Sequence, residues 1–394
     1  MTNRRALFFI ACLGLLTFGI VMTTLGAVLP RVIEQFGIGK ASAGSLLLLN
    51  TFGIVVGSLV FGPVVDRWGY KEMLLAATAI VIVGLEGIAF APSMAVLRAS
   101  VVLSGFGGGI INGGTNALVA DISVDDRMAA VARLQVFFGV GAVGLPLTLG
   151  ILLGTFSHTT ILAAVGAMVL VPFVVTAITP FPAPKQAQGI SRAAVSRLLR
   201  DPIMLLFGVM VFLESGNEIT VGGWTTTYVK EELLIGERSA LTFLTLYWLG
   251  MTLGRAALSV LLRALNPIRL VAGCLTIALI GSLLLIATHS PPIAAVGVFC
   301  LGAGFSATFP IVLGLVAGRH AALSGTAIGL IMAIALVGGM IVPWLTGVLG
   351  AGYGLRGSFV IVPVGIVLTG GLLGALGGRR SVEADGPLEV RKPL

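Results

Sequence analysis

The sequence predicts an all-α integral membrane protein with twelve transmembrane helices in two pseudo-symmetric bundles of six. Three observations carry this. The chain is 57% hydrophobic and only 10% charged, against about 25% charged residues in a soluble domain. Apolar runs of about 20–25 residues, the length that crosses a hydrocarbon core of about 30 Å, recur along it. The second half also repeats landmarks of the first at a constant offset of 197 residues.

The basic start, Met1 to Arg5, precedes an apolar run from Ala6 to Pro30 that is too long for a cleaved signal segment, so it is expected to stay as the first span. The runs then fall at 6–29, 42–65, 72–91, 95–120, 129–153 and 159–180, and again at 203–228, 238–262, 268–288, 293–318, 325–349 and 357–377. One long polar break, 181–202, separates the two sets. It contains Pro182, Pro184, Lys185, Arg192, Arg197 and Arg200, and its stretch from Ile190 to Leu199 has the pattern of a short surface helix. The expected organisation is a first bundle over 1–180, a linker over 181–202, a second bundle over 203–378 and a tail over 379–394.

The offset aligns Gly19 with Gly216, Gly53 with Gly250, Gly57 with Gly254, Gly84 with Gly281, Gly105 with Gly302 and Gly107 with Gly304. It also aligns Gly141 with Gly338, Gly150 with Gly347, Gly39 with Gly236 and Pro146 with Pro343, more than twice the roughly four glycine coincidences chance would give. Parallel six-helix repeats are a transporter architecture, with the solute site near the midplane between them.

Cationic residues set the expected orientation. Seventeen of the 24 Lys and Arg fall on the side the termini share, and six on the other. This places both termini in the cytoplasm of a multi-pass cell-membrane protein. The net charge of +8 is then a matter of topology, and no nucleic-acid role is required. Cys12, Cys274 and Cys300 lie inside apolar runs and imply no disulfide framework. His158, His289 and His320 fall at span ends or in loops, without metal-ligand spacing. No phosphate-cradling Walker loop is present. Neither a metal, a cofactor nor an enzymatic activity is expected.

The chemistry concentrates in the seventh span. Ile203 to Tyr228 opens as apolar as any lipid-crossing helix and then places Glu214, Asn217 and Glu218 inside the run. At about 1.5 Å per residue the two acids lie about 16 Å and about 22 Å along it. Four residues apart, they share a face. A carboxylate at mid-bilayer costs about 2.5–3.5 kcal/mol even on the lenient insertion scale, so two persist only where water, protons or a ligand reach them. Glu218 is the first candidate for proton coupling, with Glu214 beside it. Candidate solute contacts are Asn112 and Asn116 on the fourth span, Gln135 on the fifth, Asn217, Glu218 and Trp224 on the seventh, and Tyr247 and Trp248 on the eighth. Amides and carboxylates suit hydroxyl groups and aromatic faces suit C–H surfaces. The same amides also serve helix–helix bonding, and Trp224 also suits an interfacial anchor. Glu86 on the third span is expected in a structural or lateral role, and Arg255 in a pairing with a carboxylate or in the gate.

The loop after the second span reads Gly62-Pro-Val-Val-Asp66-Arg67-Trp68-Gly69-Tyr70-Lys71. It resembles the loop signature of the major facilitator superfamily, and its repeat mate is degraded to Gly254-Arg255 followed by Arg263. The resemblance covers nearly the whole chain and implies the major facilitator fold, with Asp66, Arg67 and Lys71 tuning the inward–outward switch. From their own positions Asp121 and Arg255 are expected to belong to the gate. A finer likeness rests on Glu218 to Tyr228, Tyr247 to Arg255, Asn116 to Asp121 and Gln135 to Gly141. These runs resemble the fucose-permease-like sugar transporters, which implies uptake of a monosaccharide, often with a proton. Those permeases carry carboxylates in their first and fourth helices, whereas spans one and four here carry none. The expected function is therefore secondary active transport of a small polar solute by alternating access, most simply a monosaccharide with protons, by a monomer in the lipid bilayer. A proton-coupled efflux antiporter for hydrophobic compounds and a sodium-coupled sugar symporter stand as alternatives.

Overall fold

The computed structural model describes residues 4–123, 127–181, 198–320 and 324–383, and these contain helices and turns with no strand. The helices are α1 (Arg4–Phe36), α2 (Lys40–Ala89), α3 (Met94–Ile122), α4 (Arg127–Leu152), α5 (His158–Met168), α6 (Leu170–Ile178) and α7 (Pro202–Glu232). They continue as α8 (Glu237–Leu261), α9 (Pro267–Ala287), α10 (Pro291–Phe305), α11 (Thr308–Arg319), α12 (Ser324–Ser358) and α13 (Ile361–Glu383).

The 50 residues of α2 are too many for one crossing. The chain reverses inside it at Gly69, whose φ of 86° and ψ of 172° lie outside the helical region. A side chain would be strained there. Gly57 and Ala77, on either side of that turn, both pack on the Phe106–Gly107 level of α3, so α2 holds spans two and three as an antiparallel pair. Gly354, with φ 74°, likewise divides α12 between spans eleven and twelve. Helices α5 and α6 abut at Val169 and form one crossing, as do α10 and α11 across Ser306 and Ala307. Among the described residues nine helical stretches are long and apolar enough to cross a membrane. One is the doubled α2, and α8 with the shorter Ile361–Leu376 completes the twelve. The expected surface helix in the linker lies almost wholly outside the described residues, as do Asp125, Asp126 and the end of the tail.

Close helix crossings make the repeat physical. A Cβ at Gly53 would meet the Val102 carbonyl and, 2.8 Å away, Phe106 N; at Gly250 it would meet the Phe299 carbonyl and, 3.1 Å away, Ala303 N. Those partners are themselves 197 residues apart. Gly105 on Asn50 and Gly302 on Tyr247 repeat the relation, and so do Gly107 on Ala77 and Gly304 on Cys274. Within each bundle, glycine removes the side chain that would hold two backbones apart, which is how helices associate where lipid supplies no hydrophobic drive.

The bundles meet along a seam of three crossings: α1 with α7, α2 with α12 and α4 with α8. At the first, Gly26 lies against Gly222 and Gly223, and Gly223 is its own repeat mate, which places this contact on the pseudo-twofold axis. The other two exchange under the same offset: Gly44 meets Gly347, and Gly150 meets Leu241.

Candidate functional site

Helix α7 is set in place by contacts to its own bundle. Asp201 caps it through Ile203 N at 2.9 Å. Asn217 Nδ2 donates to the Val362 carbonyl at 3.3 Å, and Trp224 Nε1 to the Pro343 carbonyl at 2.9 Å. Tyr228 donates to the Leu285 carbonyl at 3.1 Å, and Tyr247 on α8 donates to the Glu218 carbonyl at 3.0 Å. These bonds fix the rotation of α7, and with it the acid face.

On that face Glu218 stands 3.7 Å from the Arg255 guanidinium of α8, with side chains 13% and 26% exposed. Both are partly exposed. Arg255 also lies over the Phe138 ring of α4, 5.6 Å from its centre, so one cation joins the acid of the second bundle to an aromatic of the first. Glu214, one turn from Glu218, is 2% exposed, and neither carboxylate oxygen has a hydrogen-bond partner among the described residues.

Across the seam three amides form a ladder. Gln135 Nε2 donates to Asn116 Oδ1 at 3.2 Å, and Asn116 Nδ2 donates to the Asn112 carbonyl at 2.8 Å and to its side-chain oxygen at 3.1 Å. All three side chains are half-buried. Gln135 and Phe138 share a face of α4, so the ladder lies on the same side of that helix as the Phe138–Arg255 contact. Trp248 packs edge-on against both Phe138 and Tyr247. Its buried Nε1 lacks a partner among the described residues. A cleft of about 10 Å³ opens beside it between Met22, Asn50 and Thr51 of one bundle and Ile219 and Gly222 of the other.

The structure thus brings together Asn112, Asn116, Gln135, Glu214, Glu218, Tyr247, Trp248 and Arg255. It holds Asn217 and Trp224 apart, fully buried in contacts of the second bundle. Asp66 is half-buried and Arg67 exposed beside Trp68. Lys71 is half-buried, and Tyr70 of the same loop donates to Asp121 at 2.9 Å, tying span three to the end of span four. Glu86 packs on Gly166 of α5, within the first bundle. Sequence reasoning missed Phe138 and Asn50. Asn50 interrupts the run Leu46–Leu49 and is the repeat mate of Tyr247, a signal the offset already contained.

Polar contacts tie the two bundles together on the face of the 37–39 turn. Lys40 pairs with Glu231 at 2.8 Å, Lys230 with Glu34, and His158 with Glu237 at 3.0 Å. Arg238 donates to the Gly150 carbonyl at 3.2 Å and that of Ile151 at 3.4 Å. On the opposite face Tyr70–Asp121 stays within the first bundle and Asp201–Arg319, at 3.2 Å, within the second. The seam is closed on the 37–39 side of Glu218.

Comparison with known proteins agrees with this architecture. The family model described as Major Facilitator Superfamily matches residues 11–332. An uncharacterized transporter of Sinorhizobium fredii, y4wD, is 24% identical over 89% of this chain and 92% of its own. A gentisate transporter of Corynebacterium glutamicum is 24% identical over 87% of this chain and 81% of its own. The crystal structure of a D-xylose-proton symporter superposes with a TM-score of 0.79 at 14% identity, covering 93% of this chain and 96% of that one, which shows the shared fold. With a family match across most of its length and twelve crossings around a polar seam, the chain belongs to the major facilitator superfamily, multi-pass membrane transporters of small solutes rather than enzymes.

Proposed function

We propose that this transporter moves a monosaccharide or similar small polyol inward together with protons, with both termini in the cytoplasm and Glu218 coupling the two fluxes. The observation that carries the reading is the Glu218–Arg255 pair, partly exposed at the seam with the partnerless Glu214 one turn away. A proton on Glu218 removes the charge that holds Arg255. The guanidinium is then free to meet a solute, and the two orientations differ in affinity for the protonated form, which is what alternation requires. The amide ladder offers paired donors and acceptors for hydroxyl groups, and Trp248 offers a ring face with an unused N–H.

In this reading the bundles are 1–180 and 203–378, the linker is 181–202 and the tail 379–394. Asp66, Arg67, Lys71 and Asp121 belong to the cytoplasmic gate, and the protein works as a monomer. The 37–39 face is then the outer face, and it is closed.

A specific contact favours a second reading. Arg255 over Phe138 is also a receptor for an aromatic acid, whose carboxylate would take the place of Glu218 on the guanidinium, and one relative is named for gentisate. Proteoliposomes separate the two. Labelled hexoses, pentoses and gentisate are offered with and without an inward proton gradient. Sugar uptake that rises with the gradient, and loses that dependence in Glu218→Gln, supports the proposal. Gentisate uptake alone transfers it to the aromatic acid. Sugar uptake indifferent to both gradient and substitution removes Glu218 from coupling.

A further inference from the structure

The 37–39 face holds a titratable pair that the proposed coupling at Glu218 does not use. His158 is the first residue of α5 and Glu237 the first of α8, on opposite bundles, with His158 Nε2 3.0 Å from Glu237 Oε1. Their side chains, 19% and 22% exposed, line a cavity of about 430 Å³ at the seam with Arg31, Phe156 and Arg238. We propose that this pair is a proton-operated clasp: protonated His158 holds the bundles shut on this face, and neutral His158 lets them part.

Two helix N-termini, each the positive end of its helix dipole, face one another here. Glu237 is the one acid among the cavity's lining residues. The cations directed at the pair come from two other elements and from Glu237's own helix. They are Arg31 of α1, Lys230 of α7, itself paired with Glu34, and Arg238, occupied with the Gly150 and Ile151 carbonyls. The approach of His158 holds the Glu237 carboxyl below its ordinary range; burial opposes this, and Lys230 and Arg31 add to it. Glu237 is therefore the standing anion of the pair, and the imidazole is its proton-carrying partner. When His158 is charged, the pair attracts across the seam. When it is neutral, that attraction is gone. The clasp is thus engaged while His158 carries its second proton and released when that proton leaves. Because the cavity lies on the 37–39 face, the clasp reads the medium on that face, independently of Glu218.

The test places spin labels on exposed Thr155→Cys and Ser239→Cys, one per bundle, in a chain whose Cys12, Cys274 and Cys300 are replaced. Distance distributions are recorded in nanodiscs from acid to mildly alkaline pH. The open-to-closed ratio on this face is expected to rise about twofold to fivefold with pH, the range a partly exposed ion pair supports. His158→Gln and Glu237→Gln should be flat at the open value, and His158→Lys, which keeps the cation, flat at the closed value. Glu218→Gln should keep the step. A pH step that survives in His158→Gln, or one abolished by Glu218→Gln, overturns the clasp. The second outcome would leave the Glu218 reading standing, so the two fail separately.

Discussion

Helix α1 carries two glycines, seven residues apart, whose replacement separates packing from alternation. Gly19 faces α4 within the first bundle: an added methyl would meet the Phe138 carbonyl and approach Ala142 N to 2.8 Å. Gly26 faces α7 across the seam: a methyl would meet the Gly222 carbonyl and come within 3.1 Å of the Gly223 Cα. Both clashes are with backbone, which cannot rotate aside. Forcing a methylene-sized group into such packing costs about 1–3 kcal/mol. For Gly19→Ala the cost falls on every folded state, because α1 and α4 move as one body, so stability drops and the state populations do not change. For Gly26→Ala it falls only on the state in which the 37–39 face is shut. The population should therefore shift toward opening on that face by about 5- to 150-fold. Distance measurements between labels at positions 155 and 239 read the shift, and thermal melting of the purified protein reads stability. Should Gly26→Ala lower the melting temperature as Gly19→Ala does and leave the distance distribution unmoved, the α1–α7 crossing is not a moving joint, and the closed-face description fails.

Other substitutions test the remaining contacts. Gln135→Ala breaks the ladder at Asn116 and is expected to raise the half-saturating solute concentration about tenfold, the equivalent of one lost hydrogen bond of about 1.4 kcal/mol, in the proteoliposome assay; an unchanged value would confine the ladder to helix packing. Trp224→Phe removes the bond to Pro343 and should cost about 1 kcal/mol of stability in melting experiments, while leaving half-saturation unaltered. Asp201→Ala loses the cap of α7 and the pair with Arg319, for about 0.5–2 kcal/mol. Burial pushes the Asp201 carboxyl up, but the Ile203 N–H, Arg319 and His320 outweigh it and hold it below the ordinary carboxylate range. A depressed native value means the contribution is present above about pH 4 and is lost as the pH falls below it. The wild-type and Asp201→Asn melting curves should therefore converge in acid and separate near neutrality.

How much of this was legible beforehand follows from the range of each interaction. The crossings were readable because the bilayer demands unbroken apolar helices, and the polar groups that interrupt them stand out. The two-bundle fold was readable because close helix contacts require glycine, and Gly53, Gly57, Gly105 and Gly107 recur at a fixed offset with Gly250, Gly254, Gly302 and Gly304. Glu214 and Glu218 were conspicuous for the same reason. The sharing of Glu86 between α2 and α5, by contrast, depends on which way span three faces, and no local pattern carries that.

What composition and periodicity determined, then, is that this chain is a twelve-span repeat with acids on the first helix of its second half. Tertiary structure alone decided what those acids meet. Asn217 and Trp224 sit in the same apolar run as Glu218, yet they are bonded to Val362 and Pro343 while Glu218 reaches Arg255. The difference is the rotation of α7 about its own axis, set by its bonds to Val362, Pro343 and Leu285 and by Gly338 against Phe212. The pairing of His158 with Glu237 is of the same kind, since residues at the starts of two distant helices come within 3.0 Å only when two bundles close upon each other. A helix encodes its own length and its buried face locally; the neighbour that face will find is a property of the assembled pair.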